Sequence, residues 1–97
     1  MNAIKPSIYQ QLKILLPKLK TRYPIEELAL FGSQLRSDAQ INSDVDLLIS
    51  FNGPIGIEFI DLADELEKAL NKKVDLITKE SLKPRQWEYL KNKLMYV

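Results

Sequence analysis

The chain contains no cysteine and no histidine among its 97 residues. The first absence excludes disulfides and thiolate metal sites. The second excludes zinc centres of the usual kind and removes histidine as a general base. Any metal must therefore be held by oxygen, which points to Mg²⁺, Mn²⁺ or Ca²⁺. An excess of either charge is also lacking: 14 Lys and Arg stand against 13 Asp and Glu. Whole-chain charge thus gives no reason to expect nucleic-acid binding. No apolar run is long enough for a membrane span, and the start shows no signal-peptide pattern. The expectation is a soluble cytoplasmic protein, and the length fits one domain over residues 1–97 with one core.

What is present centres on two apolar segments. Leu28-Ala29-Leu30-Phe31 reads as a buried strand ending in a Gly32-Ser33 turn. Ser43-Asp44-Val45-Asp46-Leu47-Leu48-Ile49 reads as a second strand, running to Phe51. Successive strand side chains point to opposite faces. Asp44 and Asp46 therefore share one face, while Val45, Leu47, Ile49 and Phe51 share the other. Adjacent carboxylates repel and are costly to desolvate, so such a pair needs a compensating cation, usually a divalent metal.

Around these segments, Ile4 to Arg22 carries a helical repeat of Ile8, Leu12, Leu15, Leu16 and Leu19, with Ser7 as a candidate N-cap. Pro17 either kinks this helix or opens a second one. The first strand is expected over Glu27–Phe31. Asn52-Gly53-Pro54 is a break, and Ile57–Leu70 is a helix with a stripe of Phe59, Leu62, Ala63, Leu66, Ala69 and Leu70, stopped at Asn71. Its acidic residues read as solvated surface. Lys73–Thr78 is a third strand, with Lys73, Asp75 and Ile77 on one face. Ser81 and Pro84 start a last helix whose stripe is Trp87, Leu90 and Leu94, with Trp87 expected in the core. Met95-Tyr96-Val97 is a candidate extended edge. The order helix, strand, strand, helix, strand, helix predicts an α/β (α+β) domain with a small mixed sheet flanked by helices, the second and third strands being parallel.

Gly32 lets backbone approach a ligand and adopt positive φ. Ser33 adds a hydroxyl at a turn whose N–H groups can bind an anion. With Asp44, Asp46 and Asp75, these residues describe a site for a metal-bound triphosphate. The turn would take the β- and γ-phosphates, and the aspartates one or two ions over the α-phosphate. Asp75 would serve the nucleophile's side and could accept its proton. Arg36 either contacts phosphate or pairs with Asp38.

Gly32-Ser33, ten intervening residues, Asp44-Val45-Asp46 and a later Asp75 resemble the signature of the polymerase-β-like nucleotidyltransferases. Within them the chain is similar to the minimal nucleotidyltransferase (MNT) group. Leu82-Lys83-Pro84-Arg85 and the closing Tyr96-Val97 extend the likeness over nearly the whole chain. The resemblance implies a polymerase-β-like fold, catalytic and metal-binding roles for Asp44, Asp46 and Asp75, and nucleotide binding by Gly32, Ser33 and Arg36. It implies two Mg²⁺ ions with ATP as donor. It also implies an antitoxin that transfers AMP to a tyrosine of a HEPN-domain toxin, in a hetero-oligomer with it. A non-catalytic antitoxin that acts by binding alone, a subunit that only binds nucleotide and a small-molecule nucleotidyltransferase are the rival readings. One departure stands out: many members carry glycine after the loop arginine, where this chain has Ser37, and a positive φ there would strain serine.

Overall fold

The computed structural model describes residues 7–32 and 44–97. The expectations for Ser33, Arg36 and Ser37, and for a helix start at Ile4, fall outside the described residues.

Helix α1 spans Ile8–Lys20. Ser7 caps it reciprocally: the Gln10 amide donates to Ser7 Oγ and the Ser7 amide to Gln10 Oε1, each at 3.1 Å. Ile8, Leu12, Leu16 and Leu19 are its buried stripe. Pro17 lies inside one continuous helix rather than opening a second. Proline deprives the carbonyl four residues earlier, that of Lys13, of its partner. Pro17 and Lys13 are both exposed, on the side of the helix where water can take the place of the lost bond. The helix ends at Lys20, two residues short of Arg22, and the hydroxyl of its C-cap Thr21 donates to the Lys18 carbonyl at 2.6 Å.

Strand β1 spans Ile25–Phe31 and β2 spans Val45–Phe51, paired antiparallel. β1 begins two residues before the expected Glu27. The register shifts between Ile25 and Glu27, so Glu26 is an extra residue and both glutamates are exposed. This bulge breaks the alternation that would otherwise mark the strand's start.

Helix α2 spans Glu58–Leu70 and buries Leu62, Leu66 and Leu70; Ala69, expected in the stripe, is exposed. Asn71 stops it in the left-handed conformation, φ 53°, as the sequence predicts. Several of its acids have structural partners. Glu65 forms a bidentate pair with Arg22 at 2.5 and 2.8 Å, tying α2 to the end of α1. Glu67 accepts the Val74 amide at 3.0 Å, at the first residue of strand β3, Val74–Thr78.

β3 runs parallel to β2. A 3-10 turn at Lys79–Ser81 leads to helix α3, Pro84–Leu90, and then to strand β4, Met95–Tyr96. α3 is shorter than its pattern suggests: Leu94 lies beyond it and none of its residues is fully buried. Trp87 is accordingly not a core residue. It is half-buried, with Lys79 Nζ 4.5 Å from its ring centroid, an arrangement that keeps one aromatic face beside a cation.

The sheet order is β3-β2-β1-β4, with β4 antiparallel to β1 at one edge. The core lies on one face. Leu12, Leu16 and Leu19 of α1 and Leu62, Leu66 and Leu70 of α2 cluster there with Leu28, Leu30, Val45, Leu47 and Ile49 of the strands. Strand alternation sends Ala29, Phe31, Asp46, Leu48, Asp75 and Ile77 to the other face. The small mixed α+β sheet flanked by helices is thus present. No described helix is long and apolar enough to cross a membrane.

Candidate functional site

Backbone pairing assembles the site. Asp46 on β2 stands opposite Phe31 at the end of β1 and, on its other side, opposite Asp75 of β3. Asp44 lies two residues before Asp46, just ahead of the strand. Ladder hydrogen bonds therefore bring together three carboxylates that sequence separates by up to thirty-one positions. Each sits where alternation predicts: opposite faces carry Asp46 and its apolar neighbours Val45 and Leu47, which are fully buried.

Gly32 closes the arrangement from the β1 side. Its φ is +77°, a conformation that L side chains rarely adopt. A Cβ there would lie 2.1 Å from Asp46 Oδ2, 3.0 Å from its Cγ and 3.2 Å from its Cβ. The glycine that the sequence marks for backbone access to a ligand thus also makes room for the Asp46 carboxylate. This close approach could not be seen in the sequence, because it depends on the β1–β2 register.

The electrostatics follow from the crowding. Partial burial pushes the Asp46 carboxyl above its ordinary range, and the negative charges of Asp75 and then Asp44 push it further. Burial and two like charges are the conditions that a divalent cation relieves. The donors are carboxylate oxygens, which suit Mg²⁺. Among the described residues no three such side chains are gathered closely enough to enclose an ion as they stand. The donor set fits the implied metal.

Of the predicted site residues, Gly32, Asp44, Asp46 and Asp75 are brought to one end of the open sheet face, while Ser33 and Arg36 lie outside the described residues. Sequence reasoning missed what adjoins them. A groove of about 440 Å³ runs under α3, between Phe31 and Ile77 on the sheet and Leu82, Arg85, Tyr89 and Leu90 above. The signal was available in part: Ile77 shares a strand face with Asp75 by simple alternation.

Comparison with known proteins bears on this geometry. Residues 12–97 match the nucleotidyltransferase domain family. A protein of Thermococcus cleftensis named protein adenylyltransferase MntA is 37% identical over 81 residues, covering 82% of each chain. A solved structure described as a candidate minimal nucleotidyltransferase superposes with a TM-score of 0.77 at 25% identity, covering 98% of both chains. A complex of tri-AMPylated Shewanella oneidensis HEPN toxin with its MNT antitoxin shares the fold at TM-score 0.62 and 22% identity, over 89% of this chain and 66% of that one. With its glycine turn, its carboxylates on paired strands and a family match over nearly its whole length, the chain belongs to the nucleotidyltransferase domain family, among the minimal, polymerase-β-like members.

Proposed function

We propose that this chain is a Mg²⁺-dependent protein adenylyltransferase that moves AMP from ATP to a tyrosine of a HEPN-domain toxin, acting in the cytoplasm as that toxin's antitoxin. The observation that carries the reading is the register of Asp46 with Asp75, beside a glycine whose missing side chain accommodates Asp46. The adenylyltransferase relative and the AMPylated toxin bound to an MNT antitoxin support the choice of acceptor class. Residues 1–97 would act as one minimal catalytic domain, with the acceptor tyrosine on the partner.

In this reading Asp44 and Asp46 hold the metal, and Asp75 completes the set on the acceptor's side. Two bound Mg²⁺ ions would neutralise charge on the α-phosphate and the departing pyrophosphate and lower the pKa of the attacking hydroxyl. Gly32, bare of a side chain, lets the triphosphate reach backbone N–H groups, with Ser33 and Arg36 as further phosphate ligands. The tyrosine oxygen attacks the α-phosphorus, the bond to the bridging oxygen of the β-phosphate breaks, and pyrophosphate leaves. The hydroxyl proton passes to Asp75.

The test is intact-mass spectrometry of the HEPN protein after incubation with this chain, ATP and Mg²⁺, beside an Asp44→Asn, Asp46→Asn control. A partner heavier by whole AMP units, only with the unaltered chain, is the expected result. A partner that is inactivated without any mass change would instead make this a steric antitoxin.

A further inference from the structure

The groove under α3 opens on the same sheet face as the carboxylates. Phe31 is the register partner of Asp46, and Ile77 follows Asp75 by two residues on the same face of β3. Leu82 and Leu90 continue the apolar wall, and Tyr89, 66% exposed, forms the rim. Arg85 is the one cation lining it, and it has no carboxylate partner among the described residues.

We infer that this groove seats the acceptor segment of the partner protein: a stretch with apolar side chains beside the acceptor hydroxyl and an acidic residue that meets Arg85. The inference rests on the transferase reading above and names the surface that reading requires. Three observations favour this occupant. The groove's lining residue Ile77 stands on the same face of β3 and two positions from Asp75, the carboxylate assigned to the acceptor's side. Its volume of about 440 Å³ suits several side chains rather than a single ring. Its lining suits a peptide better than a nucleobase, whose amine and ring nitrogens need directional partners. The side-chain oxygen of Gln86 already accepts the Lys83 amide at 2.9 Å. A guanidinium without a carboxylate partner among the described residues is a ready anchor for a carboxylate.

The experiment compares the full-length chain with Arg85→Glu and with Arg85→Glu combined with Tyr89→Ser, both at exposed positions of α3. Circular dichroism establishes that each is folded, and steady-state transfer is measured against varied HEPN protein and, separately, varied ATP. Loss of a central anchor predicts a rise of about tenfold or more in KM for the protein acceptor. The KM for ATP should stay within about twofold, as the energetic arithmetic of an untouched site requires. A photo-crosslinking residue at position 89, in an otherwise unaltered chain, should capture the acceptor-bearing segment of the partner. An unchanged acceptor KM with no crosslink overturns the inference while leaving the transferase intact. A rise confined to the KM for ATP overturns it in favour of a nucleobase pocket. A wild-type chain that transfers nothing removes the reading itself, and the inference with it.

Discussion

Replacing Gly32 by alanine tests the central geometry, because two separate effects should follow from one methyl group. The first is backbone strain: φ is +77°, and holding an L-residue in that region costs about 1–2 kcal/mol. The second is collision, since the new Cβ would sit 2.1 Å from Asp46 Oδ2. Rotating the carboxylate cannot relieve all of it, as the Asp46 Cβ would also lie at 3.2 Å. An off-rotamer side chain adds about 0.5–1.5 kcal/mol. The combined loss of roughly 2–3 kcal/mol would lower Tm by about 10–20 °C in a chain of this size. Activity should fall further, because moving the carboxylate proposed to hold the metal by an ångström would cost about 100-fold in rate. Denaturant unfolding of Gly32→Ala, Asp46→Ala and the double variant separates the two effects. With the Asp46 carboxylate already removed, the alanine should cost the backbone share and the remaining tight contact with the Cβ of residue 46, giving a coupling of about 1 kcal/mol. Strictly additive losses, or a folded Gly32→Ala protein with undiminished kcat/KM, would refute the reasoning.

Other perturbations reach different parts of the structure. The Asp46 carboxyl is raised in the folded state, so between its ordinary and its raised value the folded chain binds more protons than the unfolded chain, and stability falls as pH increases through that window. Asp46→Asn should therefore raise the metal-free Tm at neutral pH, flatten this pH dependence in thermal melts, and abolish transfer. Mg²⁺ should raise the wild-type Tm in proportion to the logarithm of its concentration once saturating, and leave an Asp44→Asn, Asp46→Asn chain unmoved in differential scanning calorimetry. Leu62→Ala, at a fully buried position of α2, should cost about 2–5 kcal/mol in urea unfolding. Asn71→Val places a branched side chain at φ 53° and should cost about 1–2 kcal/mol by the same measurement.

The strand that carries Asp46 was legible because its signal is local. Period-two alternation from Val45 to Phe51 fixes which residues face the core, and the carboxylates fall on the other side by default. The Asn71 stop, the Ser7 cap and the terminal edge strand were legible for the same reason, each being written within a few residues. Features set by pairing were not. The bulge at Glu26 hides the start of β1, because it exists only relative to Phe51 and Ser50 across the ladder. Pro17 survives inside α1 because Lys13 faces water, which depends on how the helix packs. Trp87 looked like core by its chemistry, yet a seven-residue helix buries too little surface to enclose it, and Lys79 takes one face instead. The seating of Asp46 against Gly32 requires the pairing of β1 with β2, and the groove beside it requires three strands at once.

The way Asp46 meets Asp75 also makes the site all-or-none. The two carboxylates are aligned by strand register rather than by a web of adjustable side-chain contacts. A slip of one residue along β2 would present Leu47 to the open face and turn Asp46 toward the leucines of α1 and α2. No intermediate alignment exists between those two states, so any folded copy of the chain with its apolar residues inside already has its carboxylates outside. Selection for a well-packed interior and selection for a working site therefore act on the same alignment, and neither can drift without the other.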